Sequence, residues 1–253
     1  MTQHQPPTIS ILVATWNCRE LLGHFLASLQ AQTYPHWQLL LLDNCSDDGT
    51  AELVFSHQQA HPNQSIVWSS RRDTGIYDAW NRGLTIAQGD YFCFLGADDV
   101  FVDNAALSHL ADLATSRPEL ITARNAYYTA DGRFLRVWGS RWQWQRMRQS
   151  MNIAHPGMLI HRSLFYRYGD FDCNYKICGD YEWLLRLPPE IKSVHIERPI
   201  MKIVQAGISH TRIRSVYAET FRAQRSCVGV VMSAVFWLVN WLKYWRRRLI
   251  GLA

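Results

Sequence analysis

Apolar and polar positions along the first hundred residues switch between two periods. A β-rich apolar run at 9–14 follows Pro6-Pro7 and stops at Thr15-Trp16-Asn17. Asn17 reads as the cap of a helix in which Leu21, Leu22, Phe25, Leu26 and Leu29 share one face. Tyr34-Pro35 breaks that pattern, and a second buried strand is expected at 38–42. Strand, helix and strand at this spacing predict a right-handed crossover and a parallel pair. A third short strand is expected at 66–68. Ile76, Trp80 and Leu84 then recur at helical spacing, with Gln88-Gly89 as the expected stop because Gly tolerates a left-handed cap. The continuous apolar run at 91–95 is that of a strand covered on both faces.

Beyond residue 100 the architecture becomes mixed. Asp103 is the expected cap of a helix burying Leu107, Leu110 and Ala114, which Arg117-Pro118 ends. Segments 120–128 and 134–138, joined by Ala130-Asp131-Gly132-Arg133, read as a β-hairpin. The stretch 139–151 carries Arg141, Trp142, Trp144, Arg146 and Arg148 without a clean period. It fits a loop over a site, with flat Trp faces and basic Arg groups for a ligand, or an amphipathic helix on a surface. A short apolar strand is expected at 158–160. A helix is expected at 181–187 with Trp183, Leu184 and Leu187 inward.

Composition narrows the class. With 253 residues, 48% apolar and 19% charged, the chain is globular and long enough for one large domain. The net charge of +5 is concentrated in 141–148 and 243–248, which implies a basic local surface and no nucleic-acid partner. Six scattered cysteines show no C-x-x-C pair or zinc-ligand spacing, and the N-terminus lacks a secretory pattern, so reduced thiols and a cytosolic compartment are expected. The apolar segment 227–242 runs into Lys243, Tyr244, Trp245, Arg246, Arg247 and Arg248. A spanning helix needs ~20 apolar residues, so this one is short. It reads as a helix lying in a membrane interface with its arginines on anionic lipid, or else as a buried helix or dimer contact.

The chemistry begins where the 91–95 strand ends, at Gly96-Ala97-Asp98-Asp99. Adjacent acids there repel each other and are costly to desolvate. They either begin a turn or meet a hard divalent metal carrying a phosphate ligand. Ligands of open α/β sheets bind beyond the carboxyl ends of strands, which puts Thr15, Asn17 and the polar loop 43–50 in the right place.

Asp73, Gly75, Ile76, Tyr77, Asp78, Ala79, Asn81 and Gly83, followed by Ala87, Gly89 and the acidic pair, closely resemble the D-x-G-I-Y-D-A-x-N-x-G stretch of the glycosyltransferase family 2 enzymes. The loop Asp43-Asn44-Cys45-Ser46-Asp47-Asp48-Gly49-Thr50 resembles their D-(N/D)-x-S-x-D-G-T signature. Gly169-Asp170-Phe171-Asp172 with Asp180 and Arg186 resembles G-x-F-D … (E)D-x-x-L-x-x-R. The likeness covers roughly 8–210.

It implies a GT-A fold, meaning an α/β, Rossmann-like, mostly parallel sheet flanked by helices, here with a C-terminal apolar helix. With that fold, the change of architecture near residue 100 makes 1–100 the nucleotide-sugar-binding half and 101–215 the acceptor-side and catalytic half, while its apolar and basic composition makes 216–253 a membrane-associating tail. Asp43 is implied to read the nucleotide base, Asp73 to hold base or ribose, and Asp98 to bind ribose or a water. Asp99 is implied as the ligand of Mg²⁺ or Mn²⁺. Asp180 is implied as the general base, with Glu182 as a second candidate, and His155 as a further site residue. The late loop 205–210 resembles a G-G-I-S loop of relatives with Ala206 for its first Gly, and His210 there reads as an exposed loop residue or as one that reaches metal or diphosphate.

Three departures stand out: Ala97 at the first position of the family's D-x-D, Gly179 where many relatives have Glu, and Arg71-Arg72 where an acid is common. The implied activity is inverting transfer from a nucleotide-sugar donor to a saccharide or lipid-linked acceptor, in polysaccharide assembly, at the inner face of the cell membrane. Two rivals are weighed against it. A sugar-phosphate nucleotidyltransferase would want a Gly-rich basic loop after the first strand, and Thr15-Trp16-Asn17-Cys18 is not one. A non-catalytic nucleotide-sugar binder, or a membrane-anchored partner of another transferase, would not require Asp180.

Overall fold

The computed structural model describes residues 5–205 and 211–249. The expected parallel strands form: β1 (Ile9–Thr15), β2 (Trp37–Asp43), β3 (Ser65–Ser70) and β4 (Tyr91–Gly96), in spatial order β3-β2-β1-β4. Register aligns Thr15 with Asp43 and Ala14 with Gly96, so the candidate residues of three strands emerge at one edge.

The second half extends the same sheet. It adds β5 (Val100–Phe101), β6 (Leu120–Tyr128), β7 (Phe134–Trp138), β8 (Leu159–His161) and β9 (Ser193–Val204). β8 runs antiparallel to both β4 and β6, and it is the seam between the halves. β9 is parallel to β6, while β7 pairs antiparallel with β6 as the expected hairpin. Among the described residues the result is one nine-stranded sheet.

The helices are α1 (Arg19–Gln30), α2 (Thr50–Ala60), α3 (Ile76–Leu84), α4 (Ala106–Ala114), α5 (Trp144–Met147), α6 (Ser163–Tyr168), α7 (Gly179–Leu185) and α8 (Ile213–Leu249). Successive residues of β1 and β4 face opposite sides, as the two-residue period requires. Leu12, Phe92 and Phe94 pack with α3, α6 and α7. Ile11, Val13, Tyr91, Cys93 and Leu95 pack with α1 and α4. Each such fully buried side chain contributes about 1.5–3 kcal/mol.

Several local expectations change. Leu21 is half exposed and faces away from the four buried residues of α1. Asn17 is not a side-chain cap; it takes a left-handed backbone (φ 45). The start of α1 is instead closed from a distance, Arg19 N–H donating to Asp48 Oδ2 at 3.0 Å. α3 ends at Leu84 rather than at Gly89. Gly89 is required by close approach, because a Cβ there would lie 2.6 Å from the Ser10 nitrogen. Asp103 does not cap α4, whose N-cap position is Ala105; it accepts the Ala105 N–H at 2.9 Å and pairs with Arg198. Trp142 points into the core rather than toward a ligand, and α5 is one short turn with Met147 fully buried.

The tail differs most. By length and composition, Ile213–Arg246 passes for a membrane span. Its helix is nevertheless broken at Gly229, which takes φ 79 and ψ 169. The arms 213–228 and 230–249 fold back on each other, with the Tyr217 ring against Trp237, Trp241 and Tyr244 and its hydroxyl donating to the Asn240 carbonyl at 3.0 Å. The tail is a helical hairpin.

Candidate active site

The donor-side loops are fastened to one another by side chains from three strand ends. Asp43, buried at the end of β2, accepts Thr15 Oγ1 at 3.1 Å, Ser46 N–H at 2.9 Å, Ser46 Oγ at 2.5 Å and Ser70 Oγ at 2.6 Å. Those donors fill a carboxylate's acceptor sites, so contact with a base would require one hydroxyl to turn away. Asn17 Oδ1 accepts Asp47 N–H at 3.0 Å, and Asn17 N–H donates to Ser46 Oγ at 2.8 Å. Asn44 Oδ1 accepts Asp73 N–H at 2.9 Å, and Asp73 Oδ1 accepts Gly75 N–H at 3.0 Å. Burial raises the Asp73 pKa, partly offset by the Gly75 bond. Thr15, Asn17, Asp43 and Asp73 therefore form one connected rim. Arg82, which the sequence reading did not single out, ties this rim to α3 through the carbonyls of Arg71 (2.8 Å) and Asp43 (3.3 Å).

Asp98 and Asp99 lie past the end of β4. Asp99 is buried, accepting Gly96 N–H at 2.8 Å through Oδ2. Burial first, and then the neighbouring Asp98 charge, push its pKa up to about 8. That chemistry fits a divalent cation: two hard carboxylate donors, one of them costly to ionise without a positive partner. Among the described residues no group of three or more His, Cys, Asp or Glu could hold a metal, so the pair would need further ligands from diphosphate and water. His210 and residues 206–209 lie outside the described residues.

The catalytic side is joined to the donor side by α3. Tyr77 is buried there, and its hydroxyl sits 2.8 Å from the Ile177 carbonyl and 3.1 Å from Asp180 Oδ1. Burial and then the Asp180 charge hold the Tyr77 pKa well above its usual value, so it stays a donor. Asn81 accepts Phe171 N–H at 3.0 Å and donates to the Phe171 carbonyl at 2.8 Å. The family-like helix and the Gly169–Asp172 stretch are thus physically one unit.

α7 begins at Gly179, two residues earlier than expected, so Asp180 lies inside its first turn rather than before it. Gly179 has a packing reason: a Cβ there would meet the Tyr77 ring at 2.8 Å. His155 is buried, its Nδ1 is 4.0 Å from Asp180 Oδ2, and its ring lies near Trp80 and Phe94. Burial lowers the His155 pKa while the Asp180 charge opposes this. Glu182 is bound instead by Arg186, at 2.9 and 2.5 Å.

A GT-A-like sheet with an acidic pair after β4 and a second acid beside α3 invites comparison with known proteins. Residues 10–172 match the family model Glycosyl transferase family 2. The chain belongs to that family. This family 2 glycosyltransferase is 28% identical over 184 residues to the PGL/p-HBAD biosynthesis glycosyltransferase of Mycobacterium tuberculosis, covering 71% of this chain and 69% of that one. Its fold resembles S. aureus TarS 1-349 in complex with UDP-GlcNAc (TM-score 0.69, 16% identity, 87% of this chain). It also resembles the mannosyltransferase PcManGT from Pyrobaculum calidifontis in complex with GDP-Man and Mn²⁺ (TM-score 0.67, 16% identity, 92% of this chain and 70% of that one). The chain spans 66% of TarS 1-349. At such identities the likeness is one of fold, and that fold is GT-A.

Proposed function

We propose that the chain transfers a sugar, with inversion, from a nucleoside-diphosphate donor to a hydroxyl of a saccharide or lipid-linked acceptor in cell-surface glycan assembly. The observation that carries this reading is the hydrogen-bonded placement of Asp180, anchored by Tyr77 of the donor-side helix and flanked by neutral His155. Asp180 takes the proton of the attacking hydroxyl. Glu182 is a poor rival because Arg186 neutralises it. Asp43, Asp73 and Asp98, with the Thr15 and Asn17 loop, hold the base and ribose. Asp99, aided by Asp98, would hold Mg²⁺ or Mn²⁺, which when bound neutralises charge developing on the diphosphate leaving group. The biosynthetic role of the mycobacterial relative supports the glycan-assembly setting, and the UDP-GlcNAc and GDP-Man complexes of the structural neighbours support the donor class.

Titration of UDP, GDP and dTDP with and without Mn²⁺ tests the donor half. One nucleotide is expected to bind at least ~10-fold tighter with metal, a difference of about 1.4 kcal/mol. Failure of all three to bind would sink the transferase reading.

The hairpin supports attachment at the cytoplasmic membrane surface, with 1–100 as donor half, 101–215 as acceptor half and 216–253 as tail. Val231, Val235, Leu238 and Leu242 are all exposed, at spacings of four, three and four residues, and so form one outward apolar stripe. The apolar part of that arm, 230–242, is only about 20 Å long, short of the ~30 Å hydrocarbon core. It therefore lies in the interface, with Lys243 and Arg246 beside it for anionic headgroups. Val235→Asp with Leu242→Asp is expected to lower binding to phosphatidylglycerol-containing vesicles by ~10-fold or more and to leave nucleotide affinity alone. Undiminished flotation of the double variant with vesicles would refute the surface attachment.

A further inference from the structure

The first arm of α8 reaches the backbone that launches the proposed base, a contact beyond anything the family motifs cover. Glu219 accepts three successive N–H groups: Lys176 at 2.9 Å through Oε1, then Ile177 at 2.9 Å and Cys178 at 2.8 Å through Oε2. These residues form the turn immediately before α7 and lie in neither helix nor strand. The opposite side of the same turn is held by Tyr77, through the Ile177 carbonyl. Neighbouring residues of the arm reinforce the grip. The Arg222 guanidinium stacks 3.6 Å over the Tyr175 ring. Buried Gln224 donates to the carbonyls of Arg148 and Gln149, each at 3.0 Å, and sits 3.2 Å from the Tyr181 hydroxyl.

We propose that Glu219 is a positioning residue for Asp180, fixing the turn from which α7 starts and thereby coupling the hairpin to the base. An ionised carboxylate is an acceptor-only group with capacity for three donors, whereas Gln, with its one oxygen in the Oε2 place, turns its NH₂ against the Lys176 N–H and loses that bond. No neutral isostere can replace it. Asp180 sits two residues past the last clamped N–H, so loosening the turn moves the carboxylate. Small displacements of a catalytic group cost one to two orders of magnitude in rate.

This rests on the assignment of Asp180 as base, and the experiment separates the two ideas. The full chain is assayed with Mn²⁺ for release of UDP or GDP from UDP-glucose, UDP-GlcNAc and GDP-mannose. Glu219→Gln is expected to lower kcat by ~10-fold, to leave nucleotide affinity within about twofold, and to speed amide exchange in 174–184 but not in β1 or β2. In an Asp180→Asn background the same change is expected to cost less than about twofold, since residues acting as one unit are not additive. Glu219→Asp, which keeps the charge but falls a methylene short, is expected to lie between wild type and Gln, and it serves if the Gln variant does not fold. Unaltered kcat, or an equal loss in both backgrounds, would overturn the positioning role. An unaffected Asp180→Asn, or a wild type that releases neither nucleotide, would instead bring down the base assignment and this inference with it.

Discussion

Asp180→Asn is expected to bind nucleotide within about twofold of wild type and to turn over ~10²–10⁴-fold more slowly. The substitution keeps shape and an acceptor oxygen, so the Tyr77 hydroxyl at 3.1 Å retains its partner and α7 keeps its place. What it removes is basicity. Asp180 has no arginine or lysine bound to it among the described ion pairs, unlike Glu182 with Arg186, so no fixed cation competes for its oxygens. His155 does not quench that charge at neutral pH, because burial favours its uncharged form. Single-turnover kinetics beside a nucleotide titration make the measurement. Unchanged turnover would remove Asp180 from the chemistry, whereas a wild type without turnover would return the chain to the rival reading of a non-catalytic binder.

The elements whose partners lie nearby were legible in the sequence. Strands β1, β2 and β4, helix α3 and the β6–β7 hairpin follow from periods and turns, whereas Asp43, Asp73 and Asp180 became candidates through the family resemblance and Asp98-Asp99 through their place after a buried strand. Failures occurred where the deciding partner is remote. The cap of α1 comes from Asp48, and Gly89 answers to Ser10, which is 79 residues away. Gly179 looked like a departure from the family pattern, yet the Tyr77 ring leaves no space for a side chain there. Gly229, inside an apolar run, was the one local mark of the hairpin, since its φ of 79 is accessible mainly to glycine. Glu219 carried no local mark, because its three donors lie 41 to 43 residues upstream. Motif reading named the charged groups of the candidate site but not the Tyr77, Asn81 and Glu219 contacts that link its two halves.

Asp99→Asn is expected to abolish Mn²⁺-dependent nucleotide binding and, without metal, to make the fold more stable at pH 8. The sign follows from the raised pKa. The unfolded chain releases the Asp99 proton near 3.8, whereas the folded chain keeps it until about 8. Between those values the native state holds more protons than the unfolded state, so wild-type stability falls as pH rises through that window. Each pH unit of the window is worth up to ~1.4 kcal/mol, which caps the cost at ~6 kcal/mol; with relaxation and water entry relieving about half of it, a net cost on the order of 3 kcal/mol by pH 8 is expected. Asn is neutral throughout and can still accept Gly96 N–H, so it escapes that cost. For a chain of this length, the variant should then melt ~6–12 °C higher than wild type at pH 8, with the two converging near pH 4. Mn²⁺ with the preferred nucleotide should raise the wild-type Tm and leave the variant unmoved, because a cation rewards only the charged carboxylate. Parallel melting curves from pH 4 to 8, with and without Mn²⁺ and nucleotide, make the comparison. A variant with no advantage at pH 8 would mean that Asp99 is not a strained anion. Retained metal-dependent binding would mean that the cation is held elsewhere.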